Sequence, residues 1–198
     1  MRGLSSILGL AALSCALQAA AVSIEVRDEG GRPLAGAVVF LESAQARRQV
    51  RPLAQAEMGQ AGKQFVPQVL VVPVGTAVDF PNRDTVRHHV YSFSATKKFE
   101  LKLYIGAPAN PVVFDRSGIA VLGCNIHDQM VGWIVVVETP YYAISDAQGR
   151  VVIDAPPGNY RLRSWHPGLP VGATAQDQAL ELGNPAQSVS VRLPGVRP

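Results

Sequence analysis

Apolar and polar positions alternate with a period of two over much of this chain. Val22, Ile24 and Val26 alternate with Ser23, Glu25 and Arg27, which predicts a half-buried strand. Asp28-Glu29-Gly30-Gly31-Arg32-Pro33 reads as a turn, and Ala37-Val38-Val39-Phe40-Leu41 as a returning strand, so residues 22–42 read as a hairpin. Residues 43–64 are polar with little periodicity and predict a loop with one helical turn; Met58 within it reads as a solvated linker residue. Residues 65–74 form the next strand, which Pro67 and Pro73 restrict to a sheet edge, strand ends or bulges. Further short strands follow at 77–80, 88–93, 99–103, 112–114, 119–122 and 134–137. Past Glu138 the turns Asp146-Ala147-Gln148-Gly149 and Pro156-Pro157-Gly158 separate strands at 151–153 and 160–165, and Val189, Val191 and Leu193 alternate in a last one. Short strands with closely spaced turns predict an all-β sandwich.

Composition fits a folded chain. Of 198 residues, 47% are hydrophobic and only 17% charged, which excludes a disordered polyelectrolyte and suits one domain, alone or with an appendage. The start has its own logic. Arg2, a mostly apolar run from 4 to 17 and Ala19-Ala20-Ala21 read as a secretory leader over residues 1–21, cleaved before Val22. The run is short and no stop-transfer pattern follows, so no membrane attachment is expected after cleavage, and a periplasmic location is. Losing Arg2 leaves 17 basic against 15 acidic residues. With no basic tract, nucleic acid is not an expected partner.

Cysteine usage sharpens the picture. Cys15 leaves with the leader, so Cys124 is a lone thiol, and no intrachain disulfide can form. An unpaired thiol in an oxidising compartment is a liability unless buried or metal-bound. Cys124 sits in Leu122-Gly123-Cys124-Asn125-Ile126-His127-Asp128-Gln129-Met130, a loop between two strand-like runs. A thiolate, an imidazole and a thioether in seven positions suit a trigonal copper site with a weak axial thioether, given one more histidine. Phe80-Pro81-Asn82-Arg83-Asp84-Thr85-Val86-Arg87-His88-His89 supplies two candidates, His88 and His89.

Asn82 before His88 and Cys-x-x-His-x-x-Met at 124–130 resemble the ligand strand and ligand loop of cupredoxins, the loop being similar to that of amicyanin. The resemblance covers about residues 65–138. It implies a Greek-key β-sandwich holding one mononuclear type 1 copper, with His88, Cys124, His127 and Met130 as ligands. His89 takes a position usually held by Asn in that family. His89 and Asn82 then stand beside the metal, with His89 also the alternative ligand. The turns after residue 139 resemble those of small carboxypeptidase-regulatory-like β modules. Gly31-Arg32-Pro33-Leu34-Ala35-Gly36 resembles the start of one. The implied organisation is a leader (1–21), an N-terminal hairpin and linker (22–64), a cupredoxin domain (65–138) and a C-terminal module (139–198). The N-terminal hairpin is a candidate partner of that module. Asn-x-Asp at 82–84, His-His-Val-Tyr-Ser at 88–92, Gly-Cys-Asn-Ile-His-Asp at 123–128 and Trp-His-Pro at 165–167 are together similar to secreted proteins called methylamine utilization or plastocyanin-like proteins.

The resemblance implies a carrier of single electrons between redox partners, not an enzyme, with a redox protein as partner. Electrons would pass near His127, with Trp133 and Ile126 on the docking rim. Two alternatives stay open: a copper-binding or copper-delivery protein on the same ligands, and a non-metal binding module built on the C-terminal strands. Cys124 with His127 as a hydrolytic pair is disfavoured, because Met130 and a second histidine suit a metal better and no oxyanion motif is apparent. His166 reads as structural.

Overall fold

The computed structural model describes residues 20–183 and 186–197. The expected leader therefore lies outside it except for Ala20 and Ala21. In chain order the elements are β1 (Ala20–Asp28), β2 (Val38–Glu42), α1 (Ala44–Arg48), β3 (Gly59–Ala61), β4 (Gln64–Val66), β5 (Val69–Pro73), β6 (Thr76–Val78), β7 (His88–Phe93) and β8 (Lys98–Tyr104). They continue with β9 (Val112–Phe114), β10 (Gly118–Cys124), β11 (Val131–Val137), β12 (Tyr142–Ile144), β13 (Arg150–Ala155), β14 (Gly158–Trp165), β15 (Gln176–Leu182) and β16 (Gln187–Leu193). The chain is nearly all β, as its alternation predicts. Among the described residues no helix is long and apolar enough to cross a membrane.

The chain ends share one sandwich. β1 lies between β13, antiparallel, and β16, parallel. The other layer runs β12-β2-β14-β15. Val22, Ile24 and Val26 of β1, Val39 and Leu41 of β2, Leu162 of β14 and Val191 and Leu193 of β16 fill the core between them. The expected hairpin at 22–42 does not form: β1 and β2 belong to different layers, and β1 meets the returning chain at an isolated bridge between Arg27 and Pro33, ahead of β2. The chain crosses from one layer to the other over residues 33–37, where Ser145 Oγ accepts from Ala37 N (2.9 Å) and donates to Leu34 O (2.6 Å). Apolar alternation fixes which face of a strand is buried but not which strand lies beside it.

The middle of the chain builds a second core around a sheet of order β5-β11-β10-β7-β8, in which only β5 and β11 are parallel. Val72, Val90, Ala120, Leu122, Cys124, Ile134 and Val136 face inward and meet Phe65, Val78, Phe80 and Phe114. Residues 65–74 are two strands rather than one, broken at Pro67 and Gln68. The linker differs more from expectation. Its helical turn is α1, capped by Ser43 Oγ accepting from Ala46 N. Met58, however, is fully buried, because residues 57–60 run beside 79–82, with Met58 N donating to Asp79 O and Gln60 N to Pro81 O (both 2.9 Å).

Two strands look both ways. On β2, Val39 and Leu41 enter the first core while Val38 and Phe40 enter a third cluster. On β11, Ile134 and Val136 enter the second core while Val135 and Val137 enter that same third cluster. A strand covered on both faces reads as an unbroken apolar run, which is why residues 37–41 and 134–137 do not alternate. The third cluster also holds Trp165, with Trp133 packed against it and the two rings 6.2 Å apart. Trp133 is thus part of the contact between the sandwiches and not of a rim beside His127.

Candidate metal centre

His88 opens β7 and Cys124 closes β10, two neighbouring strands of one sheet. The ladder pairs Gly123 with Tyr91 and Cys124 with Val90, and Asn125 N extends it by donating to His89 O (3.0 Å). His127 and Met130 follow on a turn that closes on itself, with His127 N donating to Cys124 O (3.4 Å) and Met130 N to His127 O (2.9 Å). Adjacent strands and a short, internally bonded turn leave the side chains little freedom.

Three donor atoms converge. Cys124 Sγ lies 3.6 Å from His88 Nδ1 and 3.7 Å from His127 Nδ1, and the two nitrogens are 3.2 Å apart. A point equidistant from the three corners of that triangle is about 2.0 Å from each, which matches metal–imidazole lengths of about 2.0–2.1 Å and is somewhat short of metal–thiolate lengths near 2.3 Å. His88 is fully buried, Cys124 is 3% exposed and His127 is half-buried. Soft sulfur with two imidazoles in a nearly dry pocket suits copper or zinc and not hard oxygen-loving cations. Met130 is 1% exposed and packs in the same core as Cys124.

Strand alternation separates the two neighbouring histidines. His88 points into the core. His89 points to the other face, where Nε2 meets Glu100 Oε1 at 2.8 Å, and it is absent from the cluster. Asn82 is buried and serves the approach to His88. Its Nδ2 donates to Val86 O (2.8 Å) and Tyr104 O (2.9 Å), and its Oδ1 accepts from Asp84 N (3.0 Å).

Asp84 has a larger part than sequence reasoning gave it. Its carboxylate accepts from Gly62 N (2.6 Å) and Lys63 N (2.9 Å), and from His88 Nε2 at 2.9 Å. Those donors, Lys63 N–H first and His88 next, hold its carboxyl below the usual range. An ionised carboxylate only accepts, so the proton of His88 resides on Nε2 and the Nδ1 lone pair faces Cys124. An acid four residues before His88 was the available signal, but nothing in the spacing alone shows that a loop from 62–63 closes over it.

Sequence reasoning also missed Gln60 and Tyr104. Gln60 is fully buried; its Nε2 donates to Phe80 O (3.1 Å) and to Tyr104 Oη, which itself donates to Phe80 O (2.7 Å). Tyr104 pairs with His88 across β7 and β8, and burial pushes its phenol up to about 12. His166 stands apart from the cluster: Nδ1 accepts from Gly168 N and Nε2 donates to Ala35 O, both at 3.0 Å.

No family model matches the chain, and no curated protein does. Several solved structures are similar to part of it. A purple cupredoxin from Nitrosopumilus maritimus is 25% identical over 43% of this chain and all of its own, with a TM-score of 0.37. A reduced amicyanin variant is 21% identical over 50% of this chain and 98% of its own, with a TM-score of 0.38. A copper-containing nitrite reductase from Thermus scotoductus is 23% identical over 57% of this chain and 28% of its own, with a TM-score of 0.40.

Proposed function

We propose that this protein binds one copper ion through His88 Nδ1, Cys124 Sγ and His127 Nδ1, with the Met130 thioether as a weak axial ligand, and carries single electrons between redox partners in the periplasm. The convergence of three soft donor atoms on one buried point supports this reading most directly. Copper in such a set supplies a one-electron couple whose potential responds to the axial ligand and to hydrogen bonding around the sulfur.

The chain's own part is to keep the site rigid and dry. Asp84 fixes the tautomer and ring orientation of His88. The Asn125–His89 and Met130–His127 backbone bonds hold the ligand turn. Burial of His88 and Cys124 keeps water and substrate away from these two donors, which favours a carrier over a catalyst. His127 is the most exposed of the three and adjoins Ile126, 47% exposed, so electrons enter and leave on that side. A redox protein with an apolar contact face is the partner that fits.

Voltammetry of the copper-loaded protein tests the role. A reversible one-electron wave supports a carrier. Copper lost on each reduction supports delivery of the metal instead.

A further inference from the structure

The five-stranded sheet is apolar on its outer face as well. Val69 and Val71 of β5 and Trp133 and Val135 of β11 are covered there by the sandwich of the chain ends. The next two strands are covered only in part, at Ile119. Tyr91 and Phe93 of β7 and Ile119 and Val121 of β10 line an open cleft of about 820 Å³, whose opposite wall is Phe40, Arg163 and residues 171–175. That volume is in the range of sites that enclose a small molecule, roughly 300–1,000 Å³. At its lip Phe93 is 76% exposed and Val171 80%.

The walls offer hydroxyls rather than charge. Among the described residues Arg163 is the cleft's one charged lining residue, and it is already neutralised. Nε donates to Asp177 (2.7 Å), Nη1 lies 3.7 Å from Glu42, Nη2 donates to Ala175 O (3.3 Å), and the guanidinium sits over the Phe40 ring. Ser94 Oγ accepts from Val121 N (2.9 Å), leaving its own proton without an acceptor among the described residues. The Tyr91 phenol lies flat on Gly123, where a Cβ would come within 2.8 Å of its Oη, and it too has no partner among the described residues. A two-walled apolar slot with free hydroxyl donors discriminates against ions and convex protein surfaces.

We propose that this cleft binds an uncharged, planar aromatic molecule of one or two rings carrying a carbonyl or hydroxyl oxygen. Its ring packs between the Tyr91–Phe93 pair, whose centroids are 5.1 Å apart, and the 171–175 loop, and its oxygen accepts from Ser94 or Tyr91. The site needs no metal.

2-Naphthol, uncharged at pH 7, is the probe, titrated into the purified protein by calorimetry and by amide chemical shifts. The expected result is saturable one-to-one binding with shifts confined to residues 91–96, 119–123 and 171–175. Phe93→Ala, at an exposed position that leaves the fold intact, weakens binding at least fivefold; Val121→Phe, which fills the slot, abolishes it; Val152→Ala on the distant β13 changes nothing. Three results overturn the proposal. They are absence of saturation, equal affinity in wild type and Phe93→Ala, and a sedimenting dimer that Phe93→Ala disperses, which would make a second copy the occupant.

Discussion

Replacing Asp84 by alanine isolates the group that aims His88. The Gly62 and Lys63 amides that lose their acceptor are exposed and turn to water. His88 cannot, because it is fully buried. Leaving its Nε2–H unpaired costs about 1–3 kcal/mol. Removing the carboxylate behind a metal-binding imidazole lowers affinity about 10–100-fold. At about 1.4 kcal/mol per decade this spans roughly 1.4–2.8 kcal/mol of binding free energy. Chelator competition on the metal-loaded protein reads the affinity, and Glu100→Ala is the control, since Glu100 pairs with His89 and Lys102 and with none of the three clustered donors. Asp84→Ala is expected to release copper 10–100 times more readily while Glu100→Ala binds as wild type. Equal affinity in wild type and Asp84→Ala, or a larger loss in Glu100→Ala, would refute the reasoning and return His89 to the ligand set.

Gly132→Ala puts a Cβ 2.8 Å from Phe65 Cβ, at a buried residue with nowhere to move, and is expected to lower unfolding free energy in urea by about 1–3 kcal/mol. Met130→Leu keeps the volume, so stability changes by less than about 1.5 kcal/mol, while the reduction potential moves if the thioether is an axial ligand. An unmoved potential would remove Met130 from the ligand set. Tyr104 keeps its proton in the folded chain up to about 12 against 10.0 ordinarily, so the stability it contributes is whole below pH 10 and is lost as pH rises from 10 towards 12. Ultraviolet titration should show a late phenolate step that Tyr104→Phe abolishes; its survival in that variant would contradict the assignment.

The loop that brings Cys124 and His127 to the cluster was legible because the chemistry is contiguous: thiol, imidazole and thioether within seven residues between two strands. The choice of His88 over His89 was not legible from spacing alone. It depends on which face of β7 looks inward, and Tyr91 and Phe93 make the outer face as apolar as the inner one. β1 was read correctly as a half-buried strand, but the supposed hairpin failed because its neighbours, β13 and β16, lie more than a hundred residues away. Met58 and Gln60 were hidden for a related reason: their burial comes from a parallel run beside residues 79–82, and β3, which Met58 precedes and which holds Gln60, is too short to show a period. Trp133 was misplaced because an apolar residue beside a ligand loop reads as a rim until the second sandwich that covers it is seen.

The central claim is copper–thiolate ligation at Cys124, and a visible absorption and EPR spectrum after Cu(II) addition, beside a Cys124→Ser variant, tests it most directly. Intense blue or green absorption that disappears in the variant is the expected result. A colourless wild type, or colour that survives Cys124→Ser, would contradict it.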